Sequence, residues 1–282
     1  MPVTQPLSSE IPGPLPPAEA RVRVHVPARH NPRLQKIMDA VQQDEELYAL
    51  WHAQNVNAVT RLGMTDHGPV HMQLVANIAL RLLRLLMEQG ITPNIVRDHG
   101  LTADDAEVVV VLAALLHDVG MSIHRVNHEE YSLIVADQKL RELLPVAYPD
   151  AGVRTIVKSD ILHAIIAHRK DGHPLTLEAG VVRVADALDM TQGRSRIPFE
   201  RGSTSIHSIS AMAISKVEIV AGEEKPIEVR IAMCNAAGVF QVDALLREKL
   251  KGSGLEPYVR IVASVVPEAE GCGKPLAPQI VL

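Results

Sequence analysis

Apolar residues recur with helical spacing over most of this chain and switch to alternation near its end. From Pro32 to Leu62 the stripe of Leu34, Ile37, Met38, Val41, Tyr48 and Leu50 predicts helix, with Trp51 as a core anchor. A helix is expected from near Asp66 to about Gln89, with Pro69 tolerated in its first turn and Gly90 as its stop. The Thr102-Ala103-Asp104-Asp105 segment has the form of an N-cap and leads into VVVVLAALL, which runs on toward Gly120. Val108 to Val111 alone would suit a buried strand, but continuation into AALLH favours a buried helix. Further helices are expected over 128–142, 152–168 and 176–190.

After Arg196 the period shortens. Ala213 to Val220 and Ile227 to Met233 read as strands separated by the turn-like GEEKP, Phe240 to Lys251 as an amphipathic helix, and Tyr258 to Val265 as a further strand. The expectation is a mainly α protein. It comprises a proline-rich arm at 1–31, an all-α domain at 32–210, a small α+β (ββαβ) appendage at 211–266 and an irregular tail at 267–282. Pro2, Pro6, Pro12, Pro14, Pro16 and Pro17 forbid helix in the arm, and RVRVHV from Arg21 to Val26 is a candidate edge strand. So few strands leave an edge or face to cover, by the helical domain or by a second copy. The appendage is therefore expected to stand apart from the chemistry and to mediate self-association, as in a homodimer, or ligand control.

Composition narrows the function classes. At 282 residues the chain can bury an ample core, and its hydrophobic content of 47% includes only one Trp, four Tyr and two Phe. Leu, Val, Ile and Ala should fill that core, which suits packed helices. A net charge of −5 shows no basic excess and argues against nucleic acid as an obligatory partner. Cys234 and Cys272 make neither a disulfide framework nor a CxxC metal site, which fits a reducing cytoplasm. The proline-rich first thirty residues lack a continuous apolar stretch and are not expected to act as a secretory signal. The runs Val108 to Leu116 and Ile78 to Met87 are too short or too charged to span a bilayer, so no membrane partner is expected.

The candidate chemistry lies in the middle third, where His71, the pair His117-Asp118, His128, His168 and Asp186 follow one another. Imidazole and carboxylate ligate divalent transition-metal ions, and these residues come from separate segments that folding would have to gather. His67 and His71 are four apart and share a helix face. His124 competes with His128, and His163 with His168. Five residues of helix rotate a side chain by roughly 140°, so only one of His163 and His168 can face a common site.

With ALLHDVG at its centre, this order resembles the HD superfamily of metal-dependent phosphohydrolases, and the resemblance runs through residues 60–200. Ligands in that superfamily run His, His-Asp and a late Asp, with two intervening His in members that bind two metals. The resemblance implies His71, His117, Asp118 and Asp186 as the primary shell, with Asp118 able to bridge. It implies that His128, in NHEEYS, and His168, in AIIAHRKDG, complete a second site. The implied cofactors are two divalent transition-metal ions, Mn, Fe, Co or Zn, with Mg also admissible. Two such ions outweigh two carboxylates and a bridging hydroxide, leaving a centre near about +1 that attracts an anionic oxygen.

The implied function is hydrolysis of a phosphomonoester or nucleotide by a metal-activated hydroxide, with a small anionic phosphate ester as partner. Asp118 and His67 are the candidate catalytic residues. Similar HD-fold cyclic-nucleotide phosphodiesterases carry a catalytic histidine four residues before the first ligand, although their following Asn is Gly68 here. A plain alternative is that His67 caps or packs its helix, and Asp66 would orient His67 or a nearby arginine. Arg169, Lys170, Arg194 and Arg196 adjoin implied ligands in sequence and are candidates to grip phosphate. Asp171-Gly172 is similar to the start of a GYP-type motif, but His173-Pro174 follows, so cyclic dinucleotide hydrolysis is poorly supported. Two other readings stay open. HD-fold proteins similar to myo-inositol oxygenase hold two irons on the same six ligands, and a regulatory module would bind a ligand without chemistry.

Overall fold

Short polar side chains start the helices that the apolar stripes continue. Asn31 accepts from Leu34 N at 3.0 Å, Asp44 from Leu47 N at 2.8 Å, Asp150 from Val153 N at 2.8 Å and Thr176 from Ala179 N at 3.2 Å. Thr102 and Asp105 form a reciprocal box, with Thr102 N donating to the Asp105 carboxylate at 2.8 Å. The computed structural model describes residues 12–169, 171–190, 210, 213–266 and 280–281. Its helices are α1 (Pro32–Gln43), α2 (Glu45–Asn55), α3 (Pro69–Glu88), α4 (Asn94–His99), α5 (Ala103–Leu116), α6 (His128–Leu143), α7 (Ala151–Ala167) and α8 (Leu177–Leu188).

Helix α5 is apolar on every side, which marks it as the centre of the bundle, and every residue from Asp105 to Leu116 is buried. Helices α3, α7 and α8 pack around it. Trp51 fills the neighbouring core and donates from Nε1 to the Leu115 carbonyl at 2.9 Å, the anchor its sequence position suggested. By length and composition α3 would pass as a membrane span, yet its inner face, from His71 and Met72 to Leu86, is core.

Three boundaries differ from expectation. The helix foreseen over 32–62 breaks at Asp44, whose carboxylate caps α2, and ends in a π-helical stretch, Val56–Arg61. Helix α5 stops at Leu116, and a 3-10 turn, Val119–Ser122, follows. A Cβ at Gly120 would overlap the His128 carbonyl and the Ser132 amide, so glycine permits the start of α6 to sit directly on that turn. The RVRVHV segment is extended but pairs with no strand among the described residues. Helix side chains satisfy its backbone instead: Gln73 accepts from His25 N at 2.6 Å, Asn77 donates to His25 O at 2.9 Å, and Gln42 donates to Val24 O. Val24 and Val26 are thereby buried against the bundle.

The C-terminal segment has ββαβ order and one addition. Strands β1 (Ile214–Ala221) and β2 (Ile227–Met233) pair antiparallel, and β2 pairs parallel with β3 (Val259–Val265). A parallel pair needs a crossover. Helix α9 supplies it, beginning as a π-helical stretch, Gln241–Arg247, and ending as the α-helical turn Glu248–Leu250. The tail foreseen as irregular contributes β4 (Ile280–Val281), antiparallel to β3. Exposed edge groups of β3 recruit it.

The segment does not stand apart. Ile227, Val229, Ile231 and Met233 line one face of β2 and belong to the same continuous core as α3, α5 and α8. A sheet with one apolar face has to be covered, and the helical bundle covers it. Buried Arg183 of α8 donates to the Lys249 carbonyl at 2.9 Å and to the Gly172 carbonyl, fastening the end of α9 to the bundle. Gly180 allows the same approach, since a Cβ there would overlap the Ser253 carbonyl.

Candidate metal centre

All six residues of the ordered set converge at helix ends. His71 lies in the first turn of α3, His117 follows α5, His128 opens α6, His168 follows α7, and Asp186 lies in the last turn of α8. Two helix C-termini, those of α5 and α7, thus point their partial negative charge at one place, which favours a cation there. Three groups of donor atoms lie within 4.8 Å of one another: His71, His117 and Asp118; His117, His168 and Asp186; and Asp118, His128 and His168. The alternatives fall outside. His124 Nδ1 accepts from Val126 N at 3.0 Å, and His163 Nε2 accepts from Leu175 N at 2.9 Å.

The partners of the ring nitrogens fix what each imidazole offers. His71 Nδ1 donates to Asp189 at 2.6 Å, His117 Nδ1 to the Ala114 carbonyl at 2.8 Å, and His168 Nδ1 to the Ile165 carbonyl at 2.6 Å. A carboxylate or carbonyl only accepts, so each Nδ1 carries a proton and each Nε2 turns toward the cluster. His67 is held the same way, with Nδ1 donating to Thr65 O at 2.7 Å and Nε2 at 3.9 Å from Asp118 Oδ2. Its backbone is held too, with Gln54 donating to His67 O and His67 N donating to Asn55 at 2.9 Å. Asp66 accepts from Asn55 at 2.7 Å, so it shares the residue that positions His67.

Electrostatics make this pocket a trap for positive charge. Burial works against every ion here, yet the Asp118 carboxylate lifts His117 to about 10 and, with Glu129, lifts His128 to about 9, so without a bound cation the carboxylates draw a proton onto His117 Nε2, the position a metal ion would take. Against the same burial, His117 holds Asp118 well below the usual carboxylate range, and Lys249 and His117 do so for Asp186. His168 is pushed down to about 3 by burial and by the cations around it. The two carboxylates therefore stay ionised at neutral pH.

The comparisons agree with this geometry. The HD domain model matches residues 70–191. The chain is 40% identical over 232 residues to a protein of Methanocaldococcus jannaschii described only as uncharacterized, covering 82% of this chain and 89% of that one. This chain belongs to the HD-domain superfamily. No solved structure matches it.

The donor set of this HD-domain protein fits a divalent metal on one decisive observation. Nε2 of His117 is fully buried and has no hydrogen-bond partner among the described residues. A buried ring nitrogen facing carboxylate oxygens calls for a positive charge between them, a proton or a metal ion, and Asp118 Oδ2 and Asp186 Oδ1 face His117 Nε2 at 3.3 and 3.7 Å. Two carboxylates with several neutral imidazoles form the mixed N/O set that such ions favour.

The phosphate-gripping candidates fare differently. Arg169 is committed at 2.6 Å to Asp171 and at 3.0 Å to Glu130, on the surface. Lys170, Arg194 and Arg196 lie outside the described residues. Sequence reasoning missed Arg125, whose guanidinium lies 2.7 Å from His128 Nδ1, and three other residues of the site. Asp189 fixes His71, Glu129 lies 3.0 Å from His128 Nδ1, and Lys249 of α9 lies 3.3 Å from Asp186 Oδ2. Asp189 had a signal, its position one helical turn beyond Asp186. Lys249 had none.

Proposed function

We propose that this HD-domain protein is a phosphohydrolase acting on a phosphomonoester or nucleotide, with two divalent ions held by His71, His117, Asp118, His128, His168 and Asp186. One observation carries the reading. Asp118 Oδ2 lies 3.7 Å from His71 Nε2 and 3.3 Å from His117 Nε2, while Oδ1 lies 3.0 Å from His128 Nε2 and 3.7 Å from His168 Nε2. One carboxylate thus serves two groups of imidazoles, as a ligand shared by two cations must. When bound, such ions make water a better nucleophile at neutral pH and offset charge growing on phosphoryl oxygens.

The chain's own residues do the rest. Asp189 and the Ala114 and Ile165 carbonyls keep three imidazoles in the ligating tautomer, which spares the site a reorganisation cost. Burial of His71, His117 and His168 keeps bulk water from that side of the cluster. His67 supports the proton-donor role. With Nδ1 occupied by Thr65 O, a second proton would sit on Nε2, at the edge of the donor cluster where a leaving oxygen would depart.

The test is metal analysis of protein purified without added metal, followed by an anaerobic screen of phosphate esters with Mn²⁺, Co²⁺ and Mg²⁺. Hydrolysis without oxygen supports the reading. Turnover that requires Fe(II) and O₂ replaces it with the di-iron oxygenase.

A further inference from the structure

The C-terminal segment sends a cation to the donor cluster. Lys249 Nζ donates to the His168 carbonyl and lies 3.3 Å from Asp186 Oδ2. The other oxygen of Asp186 faces inward, 3.6 Å from His71 Nε2 and 3.7 Å from His117 Nε2. One carboxylate therefore looks two ways, toward the imidazoles and toward the ammonium.

Exposure separates these two sides. The side chains of His71 and His117 are 0% exposed, whereas those of Asp186 and Lys249 are 18% and 19% exposed. Water reaches this flank of the cluster beside Lys249. An ammonium has three N–H donors. The His168 carbonyl takes one and Asp186 a second, at a separation longer than the roughly 2.7–2.9 Å of a tight charge-assisted bond. The third has no acceptor among the described residues.

We propose that Lys249 is a substrate-binding residue, a fixed ammonium that receives a phosphoryl oxygen at the open edge of the metal centre. The proposal rests on the phosphohydrolase reading above. A compact ammonium suits a tetrahedral phosphoryl group, which presents an oxygen in several orientations. The position is held from beneath, because Arg183 binds the backbone of Lys249 itself. Arg169, the described cation that sequence nominated for this task, is already paired with two acids. The ββαβ segment thereby becomes part of the active site.

The experiment uses the full chain, metal-loaded, with inorganic phosphate as the probe in calorimetric titration. Metal content and thermal melting are measured on the same samples. Lys249→Met keeps most of the stem's packing and removes the charge; Lys249→Arg restores a cation. Lys249→Met should weaken phosphate binding about tenfold or more, as loss of a hydrogen bond between charged groups does. KM for any hydrolysed ester should rise in parallel with metal content unchanged, and Lys249→Arg should recover part of the affinity. Unchanged phosphate affinity in Lys249→Met would overturn the proposal, as would loss of metal in step with phosphate, which would make Lys249 a positioning residue for Asp186. If the wild type binds phosphate but hydrolyses no ester, the phosphohydrolase reading falls while the titration still decides Lys249. If it hydrolyses esters and Lys249→Met is indistinguishable from it, only Lys249 falls.

Discussion

Two charged clusters with buried centres sit in one bundle, and they differ in whether they are finished. Around Lys139, whose side chain is 3% exposed, Asp44 at 2.7 Å, Glu46 at 3.0 Å and Glu142 at 2.5 Å supply an acceptor for each of its donors. Around Asp118 and Asp186, three imidazoles turn Nε2 inward, and His117 Nε2 has no hydrogen-bond partner among the described residues. The first cluster is complete without help. The second makes sense only with positive charge at its centre. Buried polar groups are thus separated into structural and functional by saturation rather than by burial or composition.

The sharpest way to break this contrast is Asp118→Ala, which removes the carboxylate shared by both imidazole groups. Bound metal should fall toward zero and any hydrolysis drop by about 10³-fold or more, as the proposed metal-dependent reading requires; full metal content in plasma emission analysis would refute the shared role. Lys139→Met probes the finished cluster and should cost stability alone. Two of the three acids are half exposed, so about 2–3 kcal/mol is expected in urea unfolding rather than the full cost of a stranded buried charge. Metal content should not change.

That cluster also has a pH signature. Against the cost of burial, Asp44, Glu142 and Glu46 raise Lys139 above the ordinary lysine value of 10.5. A raised lysine stabilises fully below its unfolded value and loses that contribution as pH climbs through the folded one. The advantage of wild type over Lys139→Met should therefore be constant across neutral pH and shrink on the alkaline side as pH rises above about 10.5. A gap that stays unchanged as pH climbs well past 10.5 would contradict the saturated picture.

Smaller effects should come from residues that touch neither centre directly. Asp189→Ala frees the His71 ring and should weaken metal affinity about 10- to 100-fold in competition with a chelator. Gly180→Ala pushes on the Ser253 carbonyl and so on the seat of α9. It should weaken phosphate binding a few-fold with metal affinity unchanged, and equal loss of both would mean that α8 itself had shifted.

What sequence could reveal follows the range of the forces involved. The order of His and Asp donors that the fold gathers was legible because helix ends place them, with His117 and Asp118 both after α5, and helix ends are written locally. The strands at 214–221 and 227–233 were legible for the same reason, in the alternation of apolar residues. Helix α4 was not, because six residues after a proline carry little local signal. Its first amides, Asn94 N at 3.2 Å and Ile95 N at 2.9 Å, are capped by Glu178, distant in sequence on α8. RVRVHV had the pattern of a strand and lost to Gln73, Asn77 and Gln42, whose amides offered its backbone better-placed partners. Lys249 reached the centre through a crossover that no spacing rule anticipates.

Helix α3 has a further consequence, in the order of synthesis. It is apolar enough to be mistaken for a bilayer segment, and its inner face is covered by α5 and α8. Helix α5 follows closely, but α8 begins only at Leu177, roughly 90 residues after α3 ends at Glu88. At about 5–20 residues per second, the nascent chain carries that uncovered surface for several seconds. Ribosome pausing between α5 and α8 would lengthen the interval in which α3 can stick to other chains, so slow codons placed there should lower soluble yield more than the same codons placed after residue 190.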